Sequence, residues 1–439
     1  MKVLHVLLTL VIGWISVYSQ NPYLEVGKKH KNLSIPKNAT LNYKLKLKKN
    51  KGYHVFVMQR GIDVTLALTD SRGNRLIEKD SPNGISGLED FYYSPKESSV
   101  FNLIIQPLEE GSNFSKGVID IYINEINEKN VAILERENRK SVLTLDIDHF
   151  WEAFDHLKSC KTYADSIASF QQLYIDRATD GLLDFIKEKN FSAEQFINTV
   201  SAFPKFYNSI RPYTYEVKKI IPAIDSLFIK FQQLYPPFRP FKVCFAIGLV
   251  SSGGTTSDRF ILIGSEVVTS TEAVDLSEFQ NNSFKTVLNS KENIIQKLKN
   301  YIAHESVHTQ QINPLNKDAI GCDLLYWVLK EGMCDFIGEL LSGSQINNSI
   351  IEYGNHHEDE LWQNLKNELC SKDYGNWLYN YNLKDKPGDL GYYMGYMIVK
   401  EYYNNQFDKK KIISDIINMN DPIHFLQLSK YDQKVKQNH

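Results

Sequence analysis

In His304-Glu305-Ser306-Val307-His308 two histidines stand four residues apart, with a glutamate directly after the first. On a helix that spacing puts both imidazoles on one face, where they can share one metal ion. Glu305 then falls about 100° around the helix from His304. There it can reach a water at the metal without being a ligand, as an H-E-x-x-H zinc hydrolase requires. The flanking residues favour a helix that buries this face, because Ile302, Ala303 and Val307 are apolar and no Pro or Gly interrupts residues 291–311. A tetrahedral ion held by two histidines still needs a third protein ligand.

The apolar-rich run from Leu324 to Leu341 is expected to form a second helix. It carries Glu331, twenty-three residues after His308, and Asp335 one turn later. Glu331 would complete a His2Glu site with an open position for water, and Asp335 could hold the far nitrogen of a ligand histidine. Asp318, Asp323 and Glu339 compete for the third position, while Cys334, without a paired C-x-x-C, reads as a small core residue rather than a zinc thiolate. Here the sequence resembles the gluzincin metallopeptidases, whose zinc-binding helix is followed by a helix bearing the glutamate ligand, in some branches as E-x-x-x-D. The resemblance implies one Zn2+ per chain on His304, His308 and Glu331, with Glu305 as general base and Asp335 behind a ligand histidine.

Positioning these groups requires a scaffold. Aromatics on a helical stripe, Phe150, Trp151, Phe154 and Leu157, followed by Leu182, Leu183 and Phe185, indicate a helical core. Pro-rich residues 235–240 then lead into two expected strands, Val243 to Gly248 and Phe260 to Gly264. Between these strands lies Ser251 to Ser257. Its glycines permit close approach of another backbone, which makes Gly253, Gly254 and Thr255 candidate substrate-binding residues through strand pairing, with a plain hairpin loop as the alternative. Downstream, Gly391 to Tyr396 offers three tyrosines, of which Tyr393 is the candidate hydrogen-bond donor to an oxyanion, and a closely packed G-x-x-x-G helix is the alternative. His356-His357 is a second candidate for that role, although residues 354–360 read more simply as an exposed helix start. Together, Phe150-Trp151, Ser252 to Thr255, His304 to Gln311, Glu331-Gly332 and Asp389 to Tyr396 resemble a family of predicted bacterial zinc-dependent proteases that includes gliding-motility-associated lipoproteins. The chain keeps the catalytic motif that some members have lost, and lacks the lipidated cysteine of the lipoprotein members.

Before residue 127 the periodicity is two: Leu41, Tyr43, Leu45, Leu47; Tyr53, Val55, Val57; Val64, Leu66, Leu68; Phe101, Leu103, Ile105; Ile119, Ile121, Ile123. Half-buried antiparallel strands give that pattern. Gly61 to Gly73 resembles the bacterial pre-peptidase C-terminal domain. Asp63 and Asp70 are read first as turn aspartates, with Ca2+ as the alternative. At the start, apolar Val6 to Val17 ending in Val17-Tyr18-Ser19 reads as a signal peptide cut after Ser19. A net charge of −2 and the lack of a basic groove argue against a nucleic-acid partner, and no later segment is apolar enough to span a bilayer. Five cysteines are too few and odd in number for a disulfide framework, although one pair could form.

The expectation is an α+β multidomain chain: a signal peptide over 1–19, an antiparallel β-sandwich over 20–128, and a mainly helical gluzincin-like domain with a short sheet over 129–439. It would be exported, secreted or periplasmic, and would act on peptides or proteins. The rival is a non-catalytic envelope binding protein with a structural or vestigial zinc site.

Overall fold

The computed structural model describes residues 22–81, 84–108, 116–311 and 321–437. The expected signal peptide and Asp318 lie outside the described residues. The chain divides into two compact units, Met1–Val131 and Ala132–His439, and the division falls within a helix, Glu128–Asn138. No helix among the described residues is long and apolar enough to cross a membrane.

The first unit is built from two β-sheets. Its strands are β1 (Tyr23–Leu24), β2 (His30–Pro36), β3 (Leu41–Leu47), β4 (Gly52–Arg60), β5 (Val64–Thr69), β6 (Arg75–Lys79), β7 (Ser86–Tyr93), β8 (Ser99–Pro107) and β9 (Lys116–Ile126). One sheet has the order β1-β3-β8-β5-β6 and the other β2-β9-β4-β7. All pairings are antiparallel except β1 with β3. The alternating positions form the core: Leu45, Leu47, Val55, Val57, Val64, Leu66, Leu103, Ile105, Ile119, Ile121 and Ile123 are all buried. Each such side chain contributes about 1.5–3 kcal/mol on leaving water. Strand β7 lacks the alternation because Leu88, Glu89, Asp90, Phe91 and Tyr92 are buried in succession. Its polar members are satisfied internally: Glu89 accepts from the Ser81 amide, and Asp90 pairs with His54 at 2.8 Å.

The calcium expectation is not supported here. Asp70 Oδ1 accepts from the amides of Arg72 and Asn74 at 2.9 and 2.8 Å, and Oδ2 accepts from the Asn74 side chain at 2.9 Å. Asp63 accepts from Gln59. Donors of its own turn therefore face both oxygens of Asp70 where a cation would need to sit.

The second unit is mainly helical around a small sheet of order β10-β11-β13-β12, with β10 (Val142–Leu143), β11 (Lys242–Ala246), β12 (Gly254–Thr256) and β13 (Phe260–Gly264). Strands β10, β11 and β13 are parallel, and β12 runs antiparallel to β13 on the sheet edge. The aromatic stripe anticipated in the sequence is the core of the first helices. Phe150 sits with its ring 5.0–5.6 Å from those of Trp151, Phe170, Tyr174 and Tyr207, and Trp151 Nε1 donates to Thr214 Oγ1 at 3.0 Å.

Three helices carry the conspicuous chemistry. The histidine helix, Ile294–His308, starts at Asn293, whose side chain accepts from the amides of Ile295 and Gln296. The glutamate helix, Asp323–Ser342, has no side-chain cap, and its first amides are taken instead by the carbonyls of Ser371 and Leu369. A Cys322–Cys370 disulfide pins the same junction. The tyrosine helix, Leu390–Asn404, crosses the glutamate helix so closely that a Cβ on Gly332 would fall on the backbone of Gly395 and Tyr396, and one on Gly395 on the Val328 carbonyl. Both positions need glycine for this approach. Gly395→Ala should therefore destabilise the second unit by about 3 kcal/mol, read as a lower urea midpoint at unchanged slope.

Candidate metal centre

His304, Glu305, Glu331 and Asp335 are buried, and His308 is half-buried at the end of its helix. Glu331 Oε2 stands 3.1 Å from His308 Nε2 and 3.5 Å from His304 Nε2. The other imidazole nitrogens are held from behind. His304 Nδ1 donates to Asp335 Oδ1 at 2.7 Å, and His308 Nδ1 donates to Gln311 Oε1 at 2.9 Å. Gln311 is fixed in turn by donating to the Lys330 carbonyl at 3.0 Å. Both Nδ1 atoms thus carry a proton, and both Nε2 atoms face Glu331.

This set fits a small divalent ion. A tetrahedral site with bonds of about 2.0–2.1 Å sets its ligand atoms about 3.3 Å apart, and the two Nε2–Oε2 separations bracket that value. Cys334 is an alternative third donor, since its Sγ and the two histidines offer ligand atoms within 4.8 Å of one another. Burial and the surrounding carboxylates push its thiol well above the ordinary range, so it is held protonated. Glu331 is the better donor on charge as well as spacing. Burial alone would raise it, but His308 and His304 draw it well below the usual carboxylate range.

Without a cation the cluster holds three buried carboxylates against two imidazoles. Burial opposes charge on His304, yet the hydrogen bonds of Asp335 and Glu331 prevail and hold its imidazolium well above the ordinary value. Burial raises both Glu305 and Asp335. Such a cluster calls for positive charge.

A cleft of about 370 Å³ opens against His304 and Glu305, walled by Ser251–Gly254, the 282–287 helix region, Ile346, Ile350 and the segment 384–389. The expected loop at Gly253 and Gly254 proves to include strand β12. A Cβ on Gly253 would fall on the Tyr301 ring, and one on Gly254 would lie 2.8 and 2.9 Å from Glu305 Cγ and Cδ. The edge strand therefore rests directly on the buried carboxylate. Thr255 is half-buried and pairs with Leu262.

The strand is tied at both ends. Asp184, itself buried, accepts from Ser257 Oγ at 2.7 Å and from Arg259 at 2.7 Å, which anchors the β12–β13 turn. Glu266, fully buried, accepts the amides of Gly248 and Val250 at 2.9 and 3.0 Å and shapes the chain entering β12. Beneath the cleft, buried Lys297 donates to the carbonyls of Val267, Ser270 and Val287 at 3.2–3.3 Å, and burial lowers it to about 8.

The structure does not bring Tyr393 to the histidines. Its hydroxyl donates to Asn355 Oδ1 at 3.2 Å, and its ring packs on Gly354. The helix phase explains this: Gly395 faces the glutamate helix, Tyr392 lies three residues earlier on the same side, and Tyr393 points the opposite way. Tyr392 lines the cleft with its ring stacked toward His304, centroids 6.1 Å apart. His356 and His357 lie where two helical segments of Asn348–Lys366 meet at a kink, His357 having φ −128° and ψ 18°, so the second segment starts within the stretch expected to open a helix. Neither lines the cleft. Glu339 is engaged by the Tyr396 hydroxyl at 2.5 Å, and Asp323 sits at the far start of the glutamate helix.

Sequence reasoning did not single out Gln311, Tyr379, Asp389 or Glu266. Gln311 was within reach of it, standing three residues after His308 where one more helical turn would place it beside that ring. Tyr379, whose hydroxyl donates to Glu331 Oε1 at 3.2 Å, had no local signal.

Residues 267–421 match a family model described as a predicted Zn-dependent protease (DUF2268). No curated protein matches the chain. Among solved structures, the pre-peptidase C-terminal domain of a collagenase from Bacillus anthracis aligns with the N-terminal region at 13% identity, covering 23% of this chain and 92% of that one, with a TM-score of 0.19. The Salmonella Typhimurium protein PliG, a periplasmic inhibitor of g-type lysozyme, aligns at 16% identity over 24% of this chain and 98% of its own, with a TM-score of 0.17. CBM51-2 and INT domains of Clostridium perfringens ZmpB align at 11% identity over 35% of this chain and 42% of theirs, with a TM-score of 0.17.

The burial of Glu266 has a measurable sign. Burial raises its carboxyl from 4.5 to about 7 against the pull of the two amides. The folded protein then binds more protons than the unfolded chain between those values, so this contribution to stability is full below pH 4.5 and is lost as pH rises through 7. Glu266→Gln cannot ionise. Its destabilisation relative to the parent, from urea unfolding, should shrink between pH 5 and pH 8 by up to about 3 kcal/mol, and a penalty that grew with pH would show the carboxylate to be favourably ionised.

Proposed function

We propose that the second unit is a zinc-dependent peptidase in which His304, His308 and Glu331 hold the metal and Glu305 is the general base. One observation carries this reading: a single Glu331 oxygen faces both Nε2 atoms, 3.1 and 3.5 Å away, while both Nδ1 atoms are already engaged. The match of residues 267–421 to a predicted Zn-dependent protease family supports it. Zinc bound there would polarise the scissile carbonyl and make water acidic enough to ionise near neutrality.

The chain's own residues supply the remaining parts. An extended peptide pairs with the outer edge of β12, displacing the Ser252 hydroxyl from the Gly254 carbonyl, and Gly254 lets the strand lie against Glu305. The Glu305 carboxylate takes a proton from the attacking water as the oxygen bonds to the carbonyl carbon. It then returns that proton to the amine as the C–N bond breaks. Tyr392, which lines the cleft with its ring stacked toward His304, donates from its hydroxyl to the oxygen on which negative charge develops. Asp335 and Gln311 keep the two imidazoles in one tautomer and orientation. Export is part of the proposal, since the apolar stretch from Val6 to Val17 has the form of a signal peptide and the Cys322–Cys370 bond suits an oxidising compartment.

Metal analysis of the purified protein should find about one zinc per chain, and Glu331→Ala should lose most of it. Full retention in that variant would move the third ligand elsewhere, with Cys334 the first to examine. Glu305→Gln separates the enzyme from a zinc-bearing binding protein. It should keep zinc and fold while cleavage of any peptide found in a library screen falls by at least about 100-fold, the lower end of general-base contributions. Equal rates for the zinc-loaded variant and parent would remove Glu305 from the role of base.

A further inference from the structure

We infer that the segment Tyr379 to Asp389 is a clasp joining the cleft to the metal centre, with Tyr379 a positioning residue that holds the Glu331 carboxylate in the orientation that turns one oxygen to the histidines. The inference rests on the zinc reading above. It starts from the division of the Glu331 carboxylate: Oε2 faces His304 and His308, and Oε1 accepts from the Tyr379 hydroxyl at 3.2 Å. The two oxygens are equivalent, so what the donor at one of them fixes is the rotation of the carboxylate plane, which keeps the other oxygen turned to the imidazoles.

Tyr379 is not delivered by a helix. Its side chain is about half exposed, and its backbone takes the left-handed conformation at φ +59°, which a bulky residue adopts only when its surroundings enforce it. Asp389 enforces it. The Tyr379 amide donates to Asp389 Oδ1 at 2.6 Å, and the Asp389 amide donates to Asn380 Oδ1 at 2.6 Å. Asp389 is itself left-handed, at φ +59°. Gly388 permits the closure, because a Cβ there would lie 2.9 Å from the Asn380 carbonyl. The two ends of the segment are thus locked to each other, as in a compact surface loop whose ends meet. Between them, Tyr381 and residues 384–389 form one wall of the cleft that opens on His304 and Glu305. One loop therefore touches the cleft with its body and Glu331 with its foot, and Asp389 connects the two.

The test measures zinc affinity of the full chain by competition with a chromophoric chelator, in the parent, Tyr379→Phe, Asp389→Ala and the double variant. Tyr379→Phe keeps the ring and removes only the donor, so it should fold normally and bind zinc about 10-fold more weakly, the lower end for lost partners of a ligand. Asp389→Ala, which has no hydrogen bond to Glu331, should weaken binding comparably by releasing Tyr379. The double variant should bind little more weakly than Tyr379→Phe alone, since both changes break one linkage. A Tyr379→Phe variant as tight as a zinc-binding parent overturns the clasp and leaves the peptidase reading standing, as do losses that simply multiply in the double variant. A parent that takes up no zinc overturns the metal reading and the clasp with it.

Discussion

A buried carboxylate between two imidazoles, with a third and a fourth charge on either side, sets the terms for the second unit. Removing such groups from water costs several kcal/mol for each ion unless geometry and hydrogen bonds repay it. The molecule meets that demand from two helices. The histidine helix brings the two imidazoles and Glu305, and the glutamate helix brings Glu331 and Asp335 one turn apart on the same face. The crossing of the helices must be held closely to keep Glu331 Oε2 at 3.1 and 3.5 Å from the two nitrogens. The disulfide and the Ser371 and Leu369 carbonyls fix the start of the glutamate helix, and the contact of Gly332 with Gly395 fixes its middle.

Buried polar groups elsewhere do a related job. Lys297 gathers three carbonyls from two segments, Glu266 gathers two amides, and Asp184 joins a helix to a hairpin turn. Lys297 and Glu266 satisfy backbone groups of irregular segments, and Asp184 takes its donors from the Ser257 and Arg259 side chains. Irregular backbone around a site has to be held by such groups, since a missing partner leaves a buried donor or acceptor unpaired at about 1–3 kcal/mol.

What the sequence made legible was what local periodicity encodes. The 3.6-residue period put both histidines on one face and Glu331 and Asp335 on another, and the two-residue period located most core positions of the first unit. Strand β7 escaped because both of its faces are buried, which erases alternation. The choice among tyrosines went to Tyr393 because period alone does not give phase. The phase is set by Gly395 seating on Gly332, a tertiary contact between residues sixty-three positions apart. Strand β12 looked like a loop because it is only three residues long and follows a Ser-Ser-Gly-Gly run, and its pairing comes from β13 while Tyr301 and Glu305 pack against its start. Tyr379 and Asp389 share no spacing rule, since loop closure brings them together.

Gly254 carries a consequence for how this site can vary. Where a side chain positions a substrate strand, changing that side chain shifts both selectivity and the distance between substrate and base. Here the separation between β12 and Glu305 is set by the absence of a side chain, so it is a property of the backbone and of van der Waals radii. Residues at the cleft walls, such as Phe284, Ile346 and Ile350, can then change in size or polarity without altering that separation. In the proposed peptidase, selectivity and reactivity become separately adjustable, and the fold leaves position 254 itself closed to any larger residue.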